Sequence, residues 1–115
     1  QIKVAEASAA AQAARLMMLN CPDEATSLIA QGEVPDIERK VAYRRDGAYS
    51  VGLCTKAVDL IAGISGAGGL YNRNPVQRAF RDVHAVNAHI AFNMDMAGTA
   101  YGRVAMGHSP DNPTL

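Results

Sequence analysis

"GISGAGGLYNRNPVQRAFRDVHAVNAHI", residues 63–90, decides how this chain folds. Gly63, Gly66, Gly68 and Gly69 come first, and Asn74-Pro75 follows a few residues later. Glycine ends helices because it enters left-handed backbone at no steric cost. Asn before Pro starts one, with Asn as the cap and Pro at the first helical position. The stretch therefore reads as the end of one helix, a turn, and the start of a second helix that carries His84 and His89. Downstream, Val76, Phe80, Val83, Asn87, Ile90, Met94, Ala97, Tyr101 and Val104 alternate three and four residues apart. That spacing predicts one buried helix of roughly seven turns. Its flanks, Ala79, Val86, Ala88 and Phe92, are apolar too, as in a helix lying between others.

Upstream, Ile37, Val41, Ala48, Val51, Val58 and Ala62 keep helical spacing from a start near Pro35-Asp36, with Arg44 and Thr55 interrupting the stripe. Residues 2–19 are rich in alanine and end in Leu16 and Leu19, the composition of a further helix. Pro22 is expected to stop it, Asp23 to cap a short helix and Gly32 to end that one. The tail "GHSPDNPTL" is turn-rich. No strand-like alternation or internal repeat occurs. The pattern is an all-α, up-and-down helical bundle forming a single domain over residues 1–115.

The 115 residues carry zero formal net charge, which points away from an electrostatic grip on nucleic acid or anionic membrane. No apolar run approaches the ~20 residues of a membrane span. The first residues lack the pattern of a signal peptide, and the absence of an initial Met suggests a cut-down fragment. Cys21 and Cys54 form no C-x-x-C and no zinc spacing, so both read as reduced cytosolic thiols.

Three kinds of chemistry can be weighed against the residues. His84 and His89 are five apart, about 140° around a helix, and are poorly placed to share a metal. Every Glu (Glu6, Glu24, Glu33, Glu38) precedes residue 40 and no Glu-x-x-His exists, so a di-iron bundle fails. No Cys-x-x-Cys-His is present for covalent haem, while spacing alone leaves a noncovalent His/Met haem open. "GAGGLY" matches neither the phosphate loop nor the dinucleotide fingerprint. It is either a plain turn or bare backbone that lets amides close on a phosphate, with Arg73, Arg78 and Arg81 nearby. Arg78 and Asp82, four apart, suit an ion pair along the helix. Arg39, Lys40, Arg44 and Arg45 read as a solvated or subunit-facing surface.

"GGLYNRNPVQRAFRD" resembles the Gly-Gly, Tyr, Pro, Arg, Arg-Asp pattern in the C-terminal helical domain of the acyl-CoA dehydrogenase fold. "VHAVNAHIAFNMD" is similar to one branch of it, the two-component, reduced-flavin-dependent monooxygenases of the hydroxyphenylacetate, steroid-ring phenol and dibenzothiophene type. The resemblance is specific over 63–95 and weak before 36. The glutamate base of the fatty-acid dehydrogenases and the Gln before their glycine pair have no counterpart here. The resemblance implies the C-terminal part of a longer subunit, cytoplasmic and tetrameric, inactive without its other domains. It implies reduced FMN from a separate reductase, with FAD as the alternative. It further implies O2, a C4a-hydroperoxyflavin and an aromatic, phenolic substrate, leaving ring hydroxylation and sulfoxidation both open. On that resemblance Gly66, Gly68, Gly69 and Leu70 meet the flavin phosphate of a neighbouring subunit. His89 stands beside the reactive flavin carbon and the substrate. There it accepts the phenol's hydrogen bond or proton, or donates a bond to the hydroperoxide. Asn93, one turn on, shares its face, and Phe92 and Met96 keep water out. The rival readings are an acyl-CoA-dehydrogenase-like FAD enzyme and a helical oligomerisation domain without chemistry.

Overall fold

A computed structural model describes residues 1–111, and all of its regular structure is helical. Helix α1 spans Ile2–Ala30, α2 Ile37–Ser65, α3 Pro75–Asn87 and α4 Met94–Ala105, with 3-10 turns at Gly66–Leu70 and Ile90–Phe92. The cross-helix pairs give the topology. Glu6 meets Lys56 and Glu24 meets Arg39, so α1 runs antiparallel to α2. Asp59 meets His84 and Arg45 meets Tyr101, so α3 and α4 together retrace α2 in the opposite direction. Helix α2 is the shared spine of an up-and-down array.

The ends of these elements follow local chemistry. Asp36 caps α2 by accepting the Arg39 N–H at 2.9 Å. Asn74 caps α3 through the Val76 N–H at 3.0 Å, with Pro75 in the first turn. Helix α1 ends at Gly32, φ 76°, where Gly32 N–H reaches the Ile29 carbonyl and Glu33 N–H the Leu28 carbonyl, the paired bonds of a Schellman turn.

The α1–α2 seam is built on alanine. Ala7, Ala10 and Ala57 form its buried core, with Leu53, Leu60 and Ile61 packed against them. Small side chains let the two axes approach closely, which accounts for the alanine-rich first segment. Thr55, which interrupts the apolar stripe of α2, satisfies its hydroxyl on the Val51 carbonyl at 2.9 Å.

Three expectations are corrected. Pro22 does not stop α1, which passes through it. An interior proline removes one backbone bond and crowds the carbonyl four residues back, and the long seam with α2 holds the helix on both sides of it. The predicted helix from Val76 to Val104 is two helices with a break at 88–93. Nor is it buried, since α3 has no buried residue and Phe80, Val86 and Ile90 are exposed. Finally, Ile37–Leu70 is long and apolar enough to cross a membrane by length and composition alone. The other three helices pack on α2, yet only 11% of its most apolar stretch is buried. Residues 112–115 of the turn-rich tail lie outside the described residues.

Candidate functional site

The break between α3 and α4 presents His89. Ala88 keeps helical backbone and its N–H still reaches the His84 carbonyl at 3.0 Å. His89 then turns to φ −74°, ψ 136°. Its Nδ1 accepts the Ala91 N–H at 3.2 Å, and its carbonyl accepts the Phe92 N–H at 2.9 Å. Asn93 repeats the manoeuvre, its Oδ1 accepting the Met96 N–H at 3.0 Å to start α4. Two side chains that compete for backbone donors within five residues are what divides the helix.

This geometry sets what the imidazole can do. A ring nitrogen that accepts a hydrogen bond carries no proton, so in the neutral ring the proton sits on Nε2. Nε2 is therefore a donor, and His89 is exposed. If the ring took up a further proton it would go to Nδ1 and displace the Ala91 bond. The donor role leaves the break intact, whereas the proton-acceptor role opens its first turn.

The neighbours divide into two groups. Phe92 stands next to His89, ring centroids 6.2 Å apart and tilted by 55°, and its Cε1 comes within 3.9 Å of where a Cβ of Gly47 would sit. Phe92 and Asn93, with Tyr49, Lys56, Asn87 and Asp95, line a hollow of about 460 Å³ against α2. His89 does not line it. Asn93 and His89 do not share a helix face as expected, because both cap and neither is mid-helix. Met96 is exposed on α4.

The glycine segment is not an open loop but a 3-10 turn continuing from α2, and its glycines do different work. Gly66 leaves α2 at φ 57°. Gly69 is buried, and a Cβ there would lie 2.8 Å from the Ser65 Cβ. Gly68 is exposed with nothing within 4 Å of its Cβ position, and its carbonyl accepts from the Asn74 amide at 3.1 Å. Leu70 is 80% exposed. Gly66, Gly69, Leu70, Phe80 and Arg81 line a cavity of about 230 Å³. Arg78 is paired with Asp82 at 3.5 Å and Arg73 lies over the Tyr71 ring at 5.6 Å. Arg81 is the arginine at this cavity available to an anion. Gly66 shares this cavity with Arg81, whereas Gly68 does not line it. Bare backbone at Gly66 beside a guanidinium fits a phosphate.

Two members of the basic cluster, Arg39 and Arg45, join elements, Arg39 through an ion pair and Arg45 through a ring contact. Arg39 binds Glu24 at 3.0 Å and Asp36 at 2.7 Å, which hold its guanidinium above its ordinary pKa. Arg45 binds Asp46 at 2.6 Å and stacks 4.1 Å over the Tyr101 ring, joining α2 to α4. Cys21 is a free thiol that donates to the Met17 carbonyl at 3.5 Å. Burial and then Asp46 raise its pKa above the ordinary thiol value. The pair His84 Nε2 and Asp59 Oδ1, 2.9 Å apart, was not singled out from sequence. No single-helix pattern signals it, because its partners lie on different elements.

The profile of the family "Acyl-CoA dehydrogenase, C-terminal domain" matches residues 1–94. The FADH(2)-dependent resorcinol hydroxylase, oxygenase component, of Rhizobium sp. is 35% identical over 114 residues, 96% of this chain and 28% of that protein. The flavin-dependent monooxygenase, oxygenase subunit HsaA, of Rhodococcus jostii is 36% identical over 93% of this chain and 28% of its own length. The crystal structure of the 3-HSA hydroxylase from Rhodococcus sp. RHA1 superposes with a TM-score of 0.93 at 29% identity, covering 99% of this chain and 29% of that one. The chain spans little more than a quarter of the length of the curated relatives it matches.

Proposed function

The chain belongs to the acyl-CoA dehydrogenase C-terminal domain family, and we propose that it is the C-terminal helical domain of an oxygenase component that hydroxylates a phenolic ring with reduced FMN and O2. The relatives support this, being oxygenase components named for flavin dependence and, in the first case, for a resorcinol substrate. The observation that carries the reading to the residues is the exposed His89 Nε2–H, aimed by the bond between Nδ1 and Ala91.

Bound reduced flavin supplies the electrons that activate O2 for transfer of one oxygen atom to the ring. Through Nε2, His89 would hold a hydrogen-bond acceptor of the reactants, such as the phenol oxygen, in place. Taking the phenol's proton instead costs the Ala91 bond, so positioning is the role the geometry favours. Phe92 places apolar surface beside it and on this reading helps to exclude water, with Met96 of α4 as further apolar surface.

On this reading Gly66 and Arg81, which line one cavity with Gly69 and Leu70, hold the phosphate end, with Gly68 beside them in the same turn. They serve a different flavin from the one His89 meets. The glycine turn precedes α3 and His89 follows it, so 13 residues of helix, about 20 Å, separate them. That exceeds the span from a flavin's reactive ring to the phosphate of FMN. On this reading a neighbouring subunit completes each site. Exposed Leu70, Tyr71, Phe80 and Ile90 supply apolar surface for such an assembly, a tetramer on this reading. The reduced flavin comes from a separate reductase.

The test is to mix the full-length subunit with reduced FMN or reduced FAD, O2 and resorcinol, and to quantify hydroxylated product. Product that depends on reduced flavin, with FMN preferred, is the expected result. Oxidation of an acyl-CoA without hydroxylation would assign a dehydrogenase instead. Failure to bind any flavin would leave a helical assembly domain.

A further inference from the structure

We infer that His84 and Asp59 form the clamp that positions His89. Helix α3 has no buried residue, so deep packing does not seat its last turn on α2. That turn is held by the bond between His84 Nε2 and Asp59 Oδ1 at 2.9 Å. Phe80, one turn earlier, lies against the His84 ring with centroids 4.4 Å apart and a 52° tilt, which restricts the imidazole's rotation. Lys3 and Lys56 share a hollow with Asp59; Lys56 is committed to Glu6 at 2.8 Å, and the pair that Asp59 makes is with His84.

The main chain of the same residue connects the clamp to the site. The His84 carbonyl takes the Ala88 N–H at 3.0 Å, and the next bond runs from His89 N–H to the Val86 carbonyl at 3.0 Å. One residue thus ties its side chain to α2 and its carbonyl to the turn that delivers His89. On the far side, Phe92 rests near Gly47 of α2 and Asn93 starts α4. His89 hangs between these two attachments, Asp59 and the neighbourhood of Gly47, which lie about 18 Å apart along α2. With the upstream attachment gone, the last turn of α3 is free to shift on α2 and moves the His89 ring with it. The Ala91–Nδ1 bond, which lies within the moving segment, travels along. His84 and Asp59 are positioning residues: they act through His89 and need not touch substrate.

The inference rests on the reading of His89 given above, but its first readout uses no flavin. Crystal structures of the cofactor-free full-length subunit would be solved for wild type, Asp59→Leu and Asp59→Asn. The measured quantity is the pose of the His89 ring relative to α2. Asp59→Leu should release the ring while α2 and α3 persist. Asp59→Asn, whose amide oxygen still accepts from His84 Nε2–H, should keep it. If Asp59→Leu does not fold, His84→Phe deletes the same bond and retains the ring contact with Phe80. In the assay, the ratio of hydroxylated product to hydrogen peroxide should fall on the order of 10-fold in Asp59→Leu, at an unchanged rate of flavin oxidation, and return in Asp59→Asn. A wild-type His89 pose in both Asp59→Leu and His84→Phe overturns the proposal. So does general loss of helix in both, which would make the pair an ordinary stabiliser. A released ring in an enzyme that shows no monooxygenase activity would sustain the clamp and reject the functional reading.

Discussion

Gly68 and Gly69 are adjacent, yet substituting each with alanine should break different things. At Gly69 the added Cβ would sit 2.8 Å from the Ser65 Cβ, about an ångström inside ordinary carbon–carbon contact. Ser65 cannot swing aside, because the atom struck is its own Cβ and its Oγ is held on the Ile61 carbonyl at 2.8 Å. The turn must shift, and overpacking of this kind costs about 1–3 kcal/mol. At Gly68 the space is open and φ is not in the left-handed region, so alanine should change stability by less than about 0.5 kcal/mol. Urea unfolding followed by circular dichroism separates the two. With a slope of about 2 kcal/mol/M, Gly69→Ala should lower the midpoint by about 1 M and Gly68→Ala should leave it in place. Flavin affinity should follow the reverse order per unit of stability lost, since Gly68 presents bare backbone outward and Gly69 packs inward. Equal midpoints for the two variants would refute the reasoning and return Gly69 to the solvent-facing group.

Other outcomes follow from the same contacts. Pro22→Ala should stabilise the chain by about 2 kcal/mol, the roughly 3 kcal/mol cost of an interior proline less the stiffness proline gives the unfolded chain; a lowered unfolding midpoint would show that α1 needs the proline. Asn93→Ala should cost about 1 kcal/mol by uncapping α4, and Asn93→Asp should restore it; hydrogen exchange in residues 94–97 reports this. For Cys21, the folded pKa is raised, so its contribution to stability is complete below the ordinary thiol value of roughly 8.5. It declines as the pH rises through the folded value. The alkaline fall in unfolding midpoint should therefore flatten in Cys21→Ala, and an unchanged slope would remove the thiol as its source.

What the sequence made legible was the chemistry of helix ends. Asp36, Asn74-Pro75 and Gly32 act locally, through side-chain oxygens, a fixed φ and a missing Cβ, and each stands where its residue type predicts. The Arg78–Asp82 pair is local for the same reason. The break at 88–93 was missed because a 3-10 turn advances three residues. It thereby preserved the three-and-four spacing from Val83 to Ala97 that was read as one helix. Asn93, with Asp95 in the following turn, was the available signal, a capping residue with an acidic first turn. Pro22 misled in the opposite direction: a local penalty of a few kcal/mol does not end α1, which is held on α2 by buried alanines before it and by the Glu24–Arg39 pair beyond it. At the candidate site, the identity of His89 came from resemblance, whereas its exposure and tautomer came from the fold. The clamp of His84 on Asp59 was out of reach, because no periodicity within one helix names a partner on another.

The most direct measurement is the coupling of oxygen to product in the full-length subunit with His89→Ala, given reduced FMN, O2 and a phenol. The account predicts that the variant still binds reduced flavin, through the glycine turn of the neighbouring subunit, and still oxidises it with oxygen. Product should give way to hydrogen peroxide, because the ring that holds the reacting oxygen in register is gone. Undiminished coupling in His89→Ala, with flavin binding intact, would contradict the account and place the reacting group elsewhere.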